Sequence, residues 1–513
     1  MPKLSFQTEM GRVSRQSGVA LAGTVFAAVL GYFFKIYLAR ALGAEVLGQY
    51  ALGMTVVSFL GIINGFGIPD AAMRFVAQYS ASGKFAALRS LLWNGAGILL
   101  AGNLIFAIVL LKIGPWIARF YRSPQLVGYL PLFAAIMLTG ALVSFFSKVL
   151  AGYKQVGRRT VITRFISSPL TIIFAIVLIS LGTGLRGYLV AQVASAIVIL
   201  ALLVAMTRQL TPLGARAPNL RQFSLAPEVW SFSGAMLGVG LMEFFMVQTD
   251  RVALGYFRGA YEVGIYSVAA ALVAYEIIVL QSVNQIFAPM ISDLHTRGEH
   301  VLLGRMFQTL TKWMLGLTCP LAFVMIIFAQ PIMRIFGHDF SAGWPILVIG
   351  TLGQLVNCGV GSVGFLLLMS GNQRRLVRVQ AIMAVVMIVL SLLLVPHWGI
   401  LGAAVAAAIT NVGVNVLNLI EVNAALRITP YNSSYLKLLP PVVLSLLIVL
   451  LMTHLSGFAK AEWIVILFAL VLAYAVFTMG AFLMGLDADD RLIVSAVWLR
   501  VRGIPAIKSR RQA

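Results

Sequence analysis

Gly43-Ala44-Glu45-Val46-Leu47-Gly48-Gln49-Tyr50 and Gly259-Ala260-Tyr261-Glu262-Val263-Gly264-Ile265-Tyr266 decide the architecture. The two stretches place glycine, alanine, glycine and tyrosine at the same internal spacing, 216 residues apart. Two more landmarks follow in order at nearly that offset. Gly184-Leu185-Arg186-Gly187 resembles Gly399-Ile400-Leu401-Gly402 at 215, and Gly152 parallels Gly371 at 219. One glycine match near a helix end carries little weight, whereas three landmarks in order indicate an internal duplication.

The surrounding sequence says what is duplicated. Of 513 residues, 60% are hydrophobic and 11% charged, where a soluble domain carries about a quarter charged residues. Apolar runs of roughly 20 residues, enough to cross ~30 Å of hydrocarbon, recur from Ser17 to Leu486. Backbone polar groups in lipid must pair within their own segment or in a closed barrel. Continuous rather than alternating hydrophobicity selects helices, so the expected fold is an all-α polytopic membrane protein. Fourteen spans are predicted, at 17–39, 46–68, 88–111, 126–149, 161–182, 187–207, 229–252, 262–285, 306–329, 342–369, 377–395, 400–421, 435–454 and 463–485. Glycine-rich span ten is expected to bend or break. Six spans separate matched landmarks, so the repeats are parallel, related by an axis along the membrane normal. The expected domains are an N-lobe at 1–208, a proline-bearing cytoplasmic linker at 209–227, a C-lobe at 228–422, an extra hairpin at 423–486 and a basic tail at 487–513.

The formal charge is +22, from 38 Lys and Arg against 16 Asp and Glu. On a soluble protein such an excess points to nucleic acid; beside membrane spans it sets orientation, and no nucleic-acid partner is expected. With both termini cytoplasmic, 27 of the 38 cations fall in inner segments, nine in outer ones and two within spans. That bias supports the orientation and an even number of spans. The apolar stretch from Val19 continues past Tyr32 without a cleavage site and reads as the first span rather than a secretory signal. Cys319 and Cys358 both fall in apolar runs, where a disulfide is not expected. Asp487, Asp489 and Asp490 are expected to form a solvated turn capping a basic amphipathic stretch on the inner leaflet.

No P-loop, HExxH, paired CxxC or GxSxG motif occurs, which favours a driving force from ions or membrane potential over nucleotide hydrolysis by this chain. No catalytic residue, cofactor or resident metal is expected, and the coupling ion, proton or sodium, is left open. Interest therefore falls on ionisable groups within spans, each costing ~2.5–3.5 kcal/mol at a helix centre. Lys35, late in span one, maps by the repeat offset onto Arg251 at the outer end of span seven. Two cations at equivalent positions suit an anionic group such as a pyrophosphate; the alternative is that both snorkel to outer headgroups. Glu243 and Asp250, seven residues apart in span seven, share a helical face. Asp250 either neutralises Arg251 or lines a cavity. Glu243 is either a proton or sodium site or an interhelical hydrogen-bond donor. Glu276 and Asn284 share a face of span eight and either line a polar cavity or join helices. Lys312 reads as snorkelling, and Asp70 with Arg74, one turn apart, as a local ion pair.

Ala39-Arg40-Ala41-Leu42-Gly43 followed by Gly48-Gln49-Tyr50 resembles the first-loop signature of polysaccharide-type flippases. Asp250-Arg251-Val252-Ala253-Leu254-Gly255 followed by Val263-Gly264-Ile265-Tyr266-Ser267-Val268-Ala269 looks like its second-half counterpart. The resemblance is to the oligosaccharide flippase branch of the multidrug/oligosaccharidyl-lipid/polysaccharide exporter superfamily, over spans one to twelve. It implies two six-helix lobes around a central cavity and alternating access. The implied cargo is a polyprenyl-pyrophosphate-linked oligosaccharide, carried from the inner to the outer leaflet of a prokaryotic plasma membrane for surface polysaccharide synthesis. Lys35 and Arg251 would then contact the pyrophosphate. Membrane lipids and polymerase or glycosyltransferase machinery are the other implied partners. An ion-coupled multidrug or metabolite exporter and a lipid II flippase are the alternatives within the superfamily. A membrane-embedded glycan polymerase or transferase is disfavoured because no long outer loop is predicted.

Overall fold

The computed structural model describes residues 2–211, 225–456 and 462–485, together with Asp487 and Asp490. The described residues are helical throughout, with no strand among them. The first half runs α1 (Pro2–Gly65), α2 (Ile68–Ala81), α3 (Phe85–Phe120), α4 (Leu130–Gly152), α5 (Val156–Thr160), α6 (Ser167–Ser180) and α7 (Gly184–Leu210). The second runs α8 (Pro227–Phe257), α9 (Ala260–Val273), α10 (Ile277–Thr296), α11 (His300–Ile327), α12 (Ala329–Arg334), α13 (Trp344–Val360), α14 (Val363–Met369), α15 (Gln373–Trp398) and α16 (Ile400–Leu426). A hairpin of α17 (Leu439–Ser456) and α18 (Glu462–Leu483) follows. The expected linker is outside the described residues from 212 to 224, and the tail from 491 onward.

Among the described residues, thirteen helices are long and apolar enough to cross a membrane, where the sequence predicts fourteen spans. The difference lies in α1, whose apolar part, Ala22–Gly65, is 44 residues long. At 1.5 Å per residue it measures about 66 Å, twice the hydrocarbon thickness. Its backbone leaves the helical region at Gly43 (φ 77°, ψ 172°), between predicted spans one and two. Span ten breaks as expected: α13 stops before Gly361, which sits at φ 79°, and α14 resumes at Val363. Large apolar side chains such as Phe33, Ile105, Leu393 and Leu467 are exposed, as lipid-facing helices require.

The duplication is written in the backbone. Left-handed residues recur in pairs 215–217 positions apart: Gly43 and Gly259, Gly83 and Gly298, Arg122 and Gly337, Lys154 and Gly371, Gly184 and Gly399. This corrects one equivalence: Gly371 (φ 79°) answers Lys154 (φ 58°) rather than Gly152. Gly152 is small for another reason, since a Cβ there would lie 2.7 Å from the Met73 carbonyl oxygen. The cores repeat as well. Ala71, Phe75, Leu88 and Leu92 belong to the cluster that holds α2, α3 and α4. Their counterparts Phe287, Ile291, Leu303 and Phe307 belong to the cluster that holds α10, α11 and α14.

Packing divides the chain into two compact units. One comprises the chain through Val268 with Phe336–Phe340 and Ala384–Ala406; the other comprises Ala269–Ile335, Ser341–Met383 and the chain from Ala407. The first unit takes in the start of the second repeat because the two motif stretches interlock. A Cβ on Gly48 would lie 1.7 Å from the Ala260 carbonyl oxygen, and one on Gly264 would lie 1.8 Å from that of Ala44. Ala44 and Gly48 are the repeat equivalents of Ala260 and Gly264. The crossing is thus self-complementary, like an isologous interface within one chain, and small residues let the backbones touch. Arg258 fastens the end of α15 to the same unit, donating to the carbonyls of Pro396 and His397 at 3.0 and 3.3 Å.

Candidate substrate-binding site

The same pseudo-symmetric arrangement brings Lys35 and Arg251 together. Both are half-buried, and Lys35 lies within electrostatic reach of the Arg251 guanidinium. Arg251 Nη1 donates to Gln248 Oε1 at 2.6 Å, and the same oxygen takes a longer bond, 3.5 Å, from Thr55 Oγ1. The buried Nε of Arg251 has no partner among the described residues. Asp250 is buried, with one carboxylate oxygen accepting from the Arg251 backbone N–H at 2.7 Å and the other from Tyr266 Oη. Asp250 therefore acts as the local counter-charge to Arg251, whereas Lys35 forms no ion pair among the described residues. With these three groups ionised, the cluster carries one net positive charge, and holding like charges together in a low-dielectric setting costs energy that an anion would relieve.

Tyr266 is legible in the sequence as a motif tyrosine but not as the partner of Asp250. Its repeat equivalent, Tyr50, finds a different partner. Phe34 stands at the position equivalent to Asp250, and Tyr50 Oη instead accepts from Gln192 Nε2 at 2.8 Å, with the Tyr188 ring 5.0 Å away. The residues corresponding to Tyr188 and Gln192 at an offset of 215 are Ala403 and Ala407. Each half thus gives its motif tyrosine a hydrogen-bond partner from a different helix.

Glu243 is exposed, two turns before Asp250 on α8, and forms no hydrogen bond among the described residues. Glu276 belongs to the second unit. A 3₁₀ turn, Ala274–Glu276, separates α9 from α10 and leaves its side chain fully buried. Glu276 Oε1 accepts from Thr351 Oγ1 at 2.7 Å while Oε2 has no partner among the described residues. Asn284, also buried, likewise has an Oδ1 without a partner among them. No hydrogen bond joins Glu276 to Asn284.

Four charged residues outside the site behave differently from expectation. Asp70 pairs with Lys148 of α4 rather than with Arg74. Arg74 instead lies over the Phe232 ring, 4.7 Å from its centroid, a cation–π contact that a phenylalanine on α8 makes available. Lys312 does not snorkel. It is buried, with Nζ 2.7 Å from Asp490 and 3.5 Å from Asp487, and Asp490 also accepts from Trp313 Nε1 at 2.8 Å. Asp490 is accordingly buried rather than part of a solvated turn; Asp489 is outside the described residues. The Lys437 ammonium and the Ser434 hydroxyl hold Asp487 down to a pKa of about 2.

Comparison with known proteins identifies the scaffold. The sequence pattern of the family described as "Polysaccharide biosynthesis protein" matches residues 37–344. The chain belongs to that family. The matched region contains both interlocked motifs, Asp250, Arg251 and Tyr266; Lys35 lies just before it. The succinoglycan biosynthesis transport protein ExoT of Rhizobium meliloti is 26% identical over 318 residues, 60% of each chain. The "Probable low-salt glycan biosynthesis flippase Agl15" of Haloferax volcanii is 24% identical, covering 78% of this chain and 81% of its own. Among solved structures, the inward closed conformation of lipid II flippase MurJ superposes with a TM-score of 0.71 over 94% of this chain and 98% of its own, at 16% identity. An inward-facing multidrug resistance MATE family transporter of the MOP superfamily gives 0.62 over 80% and 98%, at 15% identity. This member of the polysaccharide biosynthesis family therefore shares its fold with that flippase and that transporter.

Proposed function

We propose that this protein flips a polyprenyl-pyrophosphate-linked oligosaccharide from the inner to the outer leaflet of a prokaryotic plasma membrane by alternating access between two six-span lobes. The observation that carries the reading is the pair of repeat-equivalent cations, Lys35 and Arg251, of which only Arg251 has a neighbouring carboxylate. A diphosphate between lipid and sugar presents two anionic groups, one for each cation, and Arg251 can offer two N–H donors at once. Family membership and the glycan-export names of the relatives support the glycan as cargo. With α1 counted as two crossings the described residues offer fourteen, an even number that would leave both termini on one side.

The test is rescue of surface glycan in a flippase-deficient host by wild type, Lys35→Ala, Arg251→Ala and the double variant. Wild type restores glycan, and each substitution lowers the yield. Full restoration by both single variants and the double variant rejects the paired-cation reading. A second reading, an ion-coupled exporter, draws on Glu276. A buried carboxyl with one bonded oxygen and one free oxygen suits proton carriage. That reading prevails if no glycan is restored and the protein instead exports a cationic dye against a proton or sodium gradient.

A further inference from the structure

A cleft of about 130 Å³ opens on the flank of the first unit where α3, α4 and α7 meet. Leu92, Ala96, Phe146 and Val204 form its apolar walls, and Trp93 and Arg208 stand at its exposed edge. Arg208 is in the last turn of α7. Arg89 is four residues before Trp93 on α3, hence on the same helical face one turn nearer the helix start. Neither arginine forms an ion pair or hydrogen bond among the described residues. The stretch after Arg208, from Gln209 through Pro227, contains no Asp or Glu. The charge pattern of the loops assigns this end of the helices to the cytoplasmic side.

An apolar cleft edged by Trp93 and Arg208, with Arg89 one helical turn from that tryptophan and neither arginine paired among the described residues, matches one chemistry. We propose that it is a binding site for an anionic phospholipid of the cytoplasmic leaflet, with an acyl chain in the cleft and the phosphate between Arg89 and Arg208. Guanidinium groups bind phosphate oxygens in pairs, and basic pockets between spans on this side of a membrane favour anionic headgroups. Ala96 is the wall residue whose small side chain keeps the cleft open. The site is separate from Lys35 and Arg251 and does not depend on the cargo assigned above.

Trp93 supplies the reporter. The full-length protein is reconstituted in vesicles of phosphatidylcholine and phosphatidylglycerol, with one or the other lipid brominated. The Trp93 signal is the difference between wild type and Trp93→Phe. Brominated phosphatidylglycerol is expected to quench it more strongly than brominated phosphatidylcholine at equal mole fraction. Arg89→Gln and Arg208→Gln each lower that preference roughly fivefold, the factor one cation contributes near an anionic surface. Ala96→Phe weakens quenching by both lipids, and Arg89→Lys with Arg208→Lys keeps most of the preference. Equal quenching by the two headgroups overturns the proposal. So does a preference that survives the double Gln variant, or one that is lost in the double Lys variant.

Discussion

Replacing Gly48 by alanine tests the interlocked crossing directly. The added Cβ would lie 1.7 Å from the Ala260 carbonyl oxygen, whereas carbon and oxygen in a close helix–helix contact sit about 3.3 Å apart. The helices must separate by roughly 1.5 Å to restore that distance, or the backbone must bend by as much. Overpacking of this kind costs about 1–3 kcal/mol, and the obstacle here is backbone rather than a side chain that can swing away. Gly264→Ala meets the Ala44 carbonyl at 1.8 Å, so the two single variants should be equally destabilised. The double variant is the discriminating case. Both clashes sit on one crossing, and the separation forced by the first substitution makes room for the second. Thermal unfolding in detergent, followed by size-exclusion chromatography, should show the two singles and the double losing similar stability, a coupling of about 1–3 kcal/mol relative to additivity. Singles within about 0.5 kcal/mol of wild type, the ordinary scatter of surface substitutions, would refute the close approach. Additive losses would refute the shared crossing.

Three other expectations follow from polar contacts between helices. Tyr266→Phe removes the donor to Asp250 and leaves a buried carboxylate oxygen unpaired, costing about 1–3 kcal/mol; Tyr50→Phe removes a neutral bond worth about 0.5–1.5 kcal/mol, so thermal stability should fall further for the first. Lys312→Ala strands Asp490 and should cost about 3–5 kcal/mol, while Lys312→Met with Asp490→Leu should be markedly better tolerated, as measured by unfolding in detergent. Asp487 has its folded pKa lowered to about 2 from an ordinary 3.8, so its stabilising contribution is complete above about pH 4 and disappears as the pH falls through about 2. Lys437→Gln should remove most of that acid dependence from the accessibility of a cysteine placed at Ser433.

Spans and duplication are legible in the sequence because each is written in local hydropathy or in a repeat offset, both properties of one dimension. What the sequence hides depends on partners distant along the chain. Lys312 and Asp490 are 178 residues apart, and each alone has an ordinary surface explanation. Asp70 and Arg74 have the spacing of a helical ion pair, but Lys148 and Phe232 from other helices offer each a better contact. Gly152 invites a match with Gly371 because glycine is the usual left-handed residue. Lys154 occupies that conformation without being glycine, so the residue type misleads where the backbone does not. Tyr266 sits in a recognisable motif, yet nothing in one dimension says that Asp250, sixteen positions earlier, receives its hydroxyl.

The unequal treatment of the two halves bears on what the cation pair needs. Phe34 occupies the position equivalent to Asp250, so only Arg251 has a built-in counter-charge. Counting Lys35, Arg251 and Asp250 as ionised, the cluster is +1. Lys35→Gln and Arg251→Gln each bring it to zero, and adding Asp250→Asn restores +1 to either. An asparagine side chain at position 250 can accept the backbone N–H of position 251 through its carbonyl oxygen and donate to Tyr266 Oη through its amide, so the local fold is preserved. If net charge is what the site supplies, Asp250→Asn should recover glycan export in both backgrounds. If the guanidinium's paired donors are required, it should recover Lys35→Gln alone, because the remaining Arg251 keeps its hydrogen bond to Gln248 and its unpaired Nε for the ligand. The paired-donor outcome is expected, since Lys35 contributes a point charge at any orientation while Arg251 is held in one. Equal recovery in both backgrounds would reduce the site to its charge, and recovery in neither would show that Asp250 is needed for more than neutralising its neighbour.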